Sequence, residues 1–432
     1  MPQPPSAPER PPWGLQALAP LQQRAFALLW LTWLAANISL WMNDVAAAWL
    51  MTSLTPSPVW VALVQTAATL PVFLLGLPSG VLADALDKRR LLLFTQLWIV
   101  AVALTLAAAV KLDALSPALL LALVFANGIG LALRWPVYAA LMPQLVPRTQ
   151  LPAALALNGV SMNASRIVGP LLAGLIIASL GSEWVFVLNA LLAVGCALVI
   201  LRWRSPAQPM VRPREPFWSA LRTGMAYVAA SQRLRLVYLQ VALFFFHSAA
   251  LIGLLPLLAQ RFEGSSAHTF TWMLAAMGSG AIVSALWLPR LRQGLSRAAL
   301  VWCGMALQAL TMLLVTWLPW LWAALGAMFV AGLAWIAVAN TLNVAAQLGL
   351  PDWVRARGIS VYQMALMGGA ALGAAFWGKV ATWVGVPYGV SLAALSALCL
   401  ATLMLRWTLR SRLLEDCTPN PPEDEPQPLQ QP

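Results

Sequence analysis

Gly80-Val-Leu-Ala-Asp84-Ala-Leu-Asp87-Lys88-Arg89-Arg90 joins two long apolar runs, Val59 to Leu82 and Leu91 to Val110. Two membrane helices joined by so tight and charged a turn must place that turn in water. Lys88, Arg89 and Arg90 are three adjacent cations, and such clusters favour the cytoplasmic side of a membrane. The stretch therefore predicts a helix pair crossing the bilayer, with its turn inside.

The rest of the chain has the same character. Of its 432 residues 61% are hydrophobic and only 9% charged, whereas a soluble domain carries about 25% charged residues. Lipid is thus the main solvent. A spanning helix needs about 20 apolar residues. Runs of about that length fall near 26–51, 59–82, 91–110, 117–142, 153–180, 184–203, 236–259, 271–288, 298–317, 320–348, 359–384 and 387–407. The prediction is an all-α membrane protein of about twelve helices. Residues 1–23 and 409–432 read as polar, Pro-rich disordered tails. Residues 24–203 and 236–408 read as two six-helix bundles. The linker 204–235 carries Arg204, Arg212, Arg214, Arg222, Arg233 and Arg235. Phe217, Trp218, Leu221, Met225 and Val228 give its second half an amphipathic pattern suited to the headgroup layer.

The net charge of +12 raises the question of nucleic acid. The basic residues sit in short loops between apolar runs, not on one face with interleaved aromatics, so no nucleic-acid surface is predicted. With the N-terminus inside, 21 of the 26 Lys and Arg lie in cytoplasmic segments and three outside or near the outer face. That bias puts both termini in the cytoplasm. Four cysteines and two histidines form no metal or disulfide pattern. No signal peptide, metal or cofactor is expected, and the chain is expected to be monomeric.

The halves repeat. At a shift of 204 residues Phe125 matches Phe329, Gly128 matches Gly332 and Pro147 matches Pro351. Gly169, Gly174 and Gly181 likewise match Gly373, Gly378 and Gly385. Glycine and proline mark backbone geometry, so shape is repeated. Small residues four apart, which let helices approach closely in lipid, recur as Ser165, Gly169, Ala173 and as Ala276, Gly280, Ser284. Gly76 and Gly80, and Ala370, Ala374 and Gly378, make two further ridges.

The loop Gly80–Arg90 resembles the cytoplasmic signature between helices 2 and 3 of the major facilitator superfamily, with Ala85 and Asp87 replacing a basic residue and a glycine. Ser165-Arg166-Ile-Val-Gly169-Pro170-Leu-Leu-Ala-Gly174 resembles the helix-5 signature of facilitator-type exporters. Val45-Ala-Ala-Ala-Trp49, Pro143-Gln-Leu-Val-Pro147 and Gln347-Leu-Gly-Leu-Pro351-Asp-Trp-Val-Arg355 resemble the group of the enterobactin exporter and macrolide efflux proteins. The resemblance spans roughly residues 24–408. It implies two bundles related by a pseudo-twofold along the membrane normal, facing each other through helix pairs 5–8 and 2–11. It also implies a kink at Gly169, Pro170 and Gly174, and a latch from Asp84 to the start of helix 11 near Gly358.

Charges inside the runs are few. Asp44 is the one carboxylate within a helix body, and such a group costs several kcal/mol unless paired, hydrated or protonated. It reads as a protonatable coupling group, or as a hydrated position near the outer mouth. Arg166 and Arg134 either line a polar cavity, pair with Asp44 or pair with helix carbonyls; Arg134 has snorkelling as a further option. His247 is a proton relay or a packing residue. Asn37, Asn43, Gln65, Asn127, Asn158, Gln240, Asn340, Asn343 and Gln363 line a central cavity or bond between helices. Arg89 and Arg90 pair with carboxylates or with lipid phosphates. Twenty-two tryptophans, many at run ends, fit an interfacial belt.

These readings lead to an inner-membrane secondary transporter in a bacterium, exporting an amphipathic small molecule such as a drug or siderophore in exchange for protons. A phospholipid or lysophospholipid flippase and a non-transporting scaffold are the alternatives. An enzyme would need clustered carboxylates, a nucleophile with its base or a metal set, and none is apparent.

Overall fold

The computed structural model describes residues 18–203, 217–262 and 267–415. Helices make up its regular structure, with no strand among the described residues. Twelve are long and apolar enough to cross a membrane. In the N-terminal half these are α1 (Arg24–Leu54), α2 (Pro58–Ala85), α3 (Lys88–Lys111), α4 (Pro117–Leu145), α5 (Leu151–Ser179) and α6 (Ser182–Arg202). The C-terminal half holds α7 (Gln232–Ala259), α8 (Ala267–Gly294), α9 (Arg297–Trp317), α10 (Leu321–Leu348), α11 (Asp352–Val384) and α12 (Val386–Glu415). A linker helix (Phe217–Ala230) rests against α7, α11 and α2. A short 3-10 turn (Ala19–Gln22) precedes α1, and α12 runs on to Glu415, so helical structure enters both segments read as tails. The remainder of those tails lies outside the described residues.

Local chemistry sets the helix starts. Pro58 and Pro117 occupy first-turn positions, where a missing N–H costs nothing. Ser116, Ser231 and Ser296 each accept a hydrogen bond from the backbone N–H three residues on. Asp87 does the same for α3, accepting from Arg90 N at 2.8 Å. The residue that departs from the loop signature thus supplies the N-cap. Arg89 donates to the carbonyls of Ile200 and Leu201 at the end of α6. A cation there satisfies orphan carbonyls and the negative end of the helix dipole. Its partners among the described residues are therefore backbone oxygens rather than carboxylates.

The repeat of shape is present in three dimensions. Gly181 (φ 108°) and Gly385 (φ 88°) are the described glycines in the left-handed region, and each sits at the turn into the last helix of its half. A Cβ on Gly169 would meet Trp41 and Ile38 of α1; one on Gly373 would meet Phe246 of α7. Gly128 faces Pro71 and Ala68 of α2, while Gly332 faces Met277 and Ala281 of α8. Equivalent glycines thus face equivalent helices. α5 runs unbroken through Pro170, and Gly169 and Gly174 serve close packing.

An even number of spans puts both chain ends on one face, called here the terminal face. On the opposite face Trp184, Trp317, Trp320, Trp322 and Trp383 are all at least half exposed. Their amphipathic rings mark that level as a membrane–water interface.

Candidate functional site

The halves meet along two seams, α2 with α11 and α5 with α8. Near the far face both seams are closed. Gly378 packs on Ala62 and Val59, Gly174 packs on Thr271, and Thr66 Oγ1 donates to the Ala371 carbonyl at 2.8 Å. Trp49 of α1 stacks on Phe270 of α8 at 6.3 Å between centroids. Gln260, just past α7, donates to Thr52 Oγ1 at 3.0 Å. Midway along, Gly278 still faces Ile167 and Gly368 still faces Phe73. Gly76 and Gly159 continue the same helix stripes, one turn past Phe73 and two turns short of Ile167. A Cβ on either would meet nothing within 4 Å. The halves are in close contact at the far face, and the space beside Gly76 and Gly159, nearer the terminal face, is open.

Asp44 lies in α1, about ten residues before its far-face end. It shares a face of α1 with Thr52, eight residues on, by the four-residue repeat of a helix. Thr52 touches the other half, and Asp44 lies about 12 Å deeper along the helix at 1.5 Å per residue. It is half-buried. Arg166 of α5 lies 5.2 Å over the Trp41 ring, one turn from Asp44. Its Nε is buried with no hydrogen-bond partner among the described residues. No described cation pairs with Asp44. The structure brings Asp44, Trp41 and Arg166 to one region without joining the two charges.

Arg134 lies elsewhere. It is 2% exposed, so it does not snorkel, and it stands 5.5 Å over Trp33 inside the N-terminal half. It lines a cavity of about 20 Å³ between α1, α3, α4 and α6, with Ser39, Gln96, Asn127, Asn189 and Cys196. A polar seam continues from there. Ser39 Oγ donates to Asn189 Oδ1, and Asn189 Nδ2 donates to Asn43 Oδ1 at 3.4 Å. Asn37, Asn43 and Asn127 are buried, and Asn43 bonds between helices. Sequence reasoning does not single out Gln96 and Asn189. Each lies in a peripheral helix where hydropathy gives no facing direction.

His247 is 4% exposed and Nδ1 bonds to the Leu243 carbonyl of its own helix at 2.7 Å. Its ring packs against Phe246 and Trp377. The side chains of Gly80, Asp84 and Asp352 lie outside the described residues, so the latch expected of Asp84 has no geometry here. Gln240 lines a larger cavity, about 570 Å³, between α7, α9, α10 and α12 at the terminal end. Arg233, Arg297 and Trp302 border it, over Leu236, Val301 and Met305. These four helices are the pseudo-twofold equivalents of those around Arg134. No group of three or more His, Cys, Asp or Glu fit to hold a metal occurs among the described residues.

This architecture, twelve spans in two like halves, is the major facilitator fold. A bacterial homologue of the lysosomal transporter Spinster, solved inward-facing and unoccupied, matches with a TM-score of 0.70 at 15% identity, over 93% of this chain and 99% of that one. The nucleoside transporter NupG matches with a TM-score of 0.71 at 12% identity, over 88% and 98%. The chain belongs to the transmembrane secretion effector family, whose model matches residues 15–430. Among curated relatives, the staphyloferrin A transporter of Staphylococcus aureus is 21% identical over 58% of this chain and 63% of its own length. Macrolide efflux protein A of Streptococcus pyogenes is 24% identical over 56% and 61%. The enterobactin exporter EntS of Shigella boydii is 28% identical over 61% and 62%. The match spans about three fifths of the length of these relatives.

Proposed function

We propose that this protein is a secondary active exporter of the bacterial inner membrane, moving an amphipathic small molecule outward in exchange for protons. What supports the reading is the close far-face contact between the halves together with the open space beside Gly76 and Gly159, which we read as a cleft towards the terminal face, and a lone half-buried carboxylate, Asp44, in α1. With the terminal face cytoplasmic, as the loop cations favour, the cleft admits cargo from the cytoplasm. A charged Asp44 resists enclosure, because a carboxylate in hydrocarbon costs several kcal/mol. Closing the halves over it therefore requires a proton or a bound cationic group. Cargo loading from inside and proton loading from outside would then alternate at one site. Arg166 and the Trp41 ring offer a cationic and an aromatic surface beside it. His247, tied to its own helix and ringed by aromatics, acts in packing. The macrolide and enterobactin exporters among its relatives support cargo of this class.

A lipid flippase is the second reading. The cavity of about 570 Å³ favours it, since arginines border an apolar interior at the terminal end of the C-terminal half.

The test is stabilisation of purified protein by a panel of macrolides, siderophores, cationic dyes and lysophospholipids, followed by transport of each binder in proteoliposomes. Export driven by a pH gradient supports the first reading. Lysophospholipid movement alone supports the second.

A further inference from the structure

The cavity around Arg134 lies between α1, α3, α4 and α6, within the N-terminal half, and plays no part in the proposed export. Its composition is unusual for a membrane interior. Arg134 is 2% exposed and Gln96 is 1% exposed, and Arg134 Nε and Gln96 Nε2 have no hydrogen-bond partner among the described residues. Asn127, at 7%, bonds to no described residue. All three line the same space of about 20 Å³. A guanidinium does not give up its proton in a protein, and a buried charge needs a partner. No described carboxylate supplies one. Asp44 pairs with no described cation, and Asp87, Asp113 and Glu183 stand at helix ends. Trp33 offers only the face of a ring, at 5.5 Å.

We propose that Arg134, Gln96 and Asn127 form a buried site for a single halide-sized anion, chloride being the natural occupant. Size decides the class. The space is small, about 20 Å³, and suits a compact particle, a water or a halide, better than a carboxylate, phosphate or sulfate. Charge decides between the two, because only an anion neutralises the guanidinium. The side-chain amides of Gln96 and Asn127 can each turn N–H groups towards it. Such an ion ties α3 to α4 and makes the N-terminal half rigid as it rocks.

The test compares thermal unfolding of the purified full chain in sodium chloride, bromide and gluconate at equal ionic strength. Chloride and bromide should raise Tm saturably, by roughly 3–5 °C at concentrations well above Kd, and gluconate should not. Bromide-grown crystals should give an anomalous peak beside Arg134. Gln96→Leu, which keeps the arginine, should shift the chloride midpoint at least about tenfold, a loss of about 1.4 kcal/mol. Arg134→Gln should abolish the halide response. If Arg134→Gln does not fold, the Gln96→Leu shift and the bromide peak decide. Equal Tm in chloride and gluconate, with no bromide peak, would show that the cavity takes water alone and overturn the proposal.

Discussion

Gly378 of α11 lies against Ala62 of α2, so close that a Cβ on the glycine would stand 2.5 Å from the alanine methyl. Its repeat partner, Gly174 of α5, lies against Thr271 of α8 in the same way. The far-face seal thus rests on two twofold-related close approaches, one on each seam. Both belong to helices that must separate there if the cleft is to open outward.

Filling one of these contacts should open the seal. Gly378→Leu inserts a side chain where no space exists, and the halves can relieve it by parting at the far face. The population should move towards outward-open states. Thr52→Cys, placed at the contact with Gln260, should then label faster with an impermeant maleimide. Unchanged labelling in a folded protein would show that the seal does not depend on this contact.

The turns into the last helix of each half should respond alike. Gly181 and Gly385 both hold positive φ, where a Cβ is strained. Gly181→Ala and Gly385→Ala should each lower thermal stability by about 1 kcal/mol or more. A loss at one position and none at the other would break the equivalence.

This pair also shows what is legible in the sequence. Glycines at a constant shift record backbone geometry, and geometry is what the halves share, so the repeat can be read from residue spacing alone. The twelve spans are legible because length and apolarity suffice to set them. The polar seam is not. Gln96 and Asn189 sit among apolar neighbours, and hydropathy does not tell which side of a fully apolar helix faces protein and which faces lipid. Arg134 is visible as an intramembrane cation, yet its depth along α4 is compatible with snorkelling. Only packing shows that it turns inward. The partner of Arg89 is a pair of carbonyls in another helix, which no spacing rule reveals.

Arg89 should matter more than Arg90. Arg89→Ala removes the donors to Ile200 and Leu201 carbonyls and should cost about 1 kcal/mol, at the low end for bonds to a charged donor because the group is only half-buried. Arg90 is exposed, and Arg90→Ala should leave the melting temperature unchanged. Equal effects would assign Arg89 a role through charge alone.

Asp87 should act through its cap. Asp87→Ala leaves the Arg90 N–H without its acceptor and should cost about 1 kcal/mol. Asp87→Asn keeps an acceptor and should retain most of that stability. If the asparagine variant falls as far as the alanine variant, the negative charge at the helix N-terminus, not the hydrogen bond, is what matters.

The central claim is that Asp44 couples cargo movement to protons. The direct measurement is uptake of a macrolide, or of enterobactin, into inside-out proteoliposomes under an imposed pH gradient, for wild type and Asp44→Asn. Asparagine mimics the protonated carboxyl and barely changes the shape of the cleft. The account predicts that gradient-driven accumulation collapses, while ligand-induced thermal stabilisation and downhill exchange persist. Full gradient-driven accumulation by Asp44→Asn would contradict it.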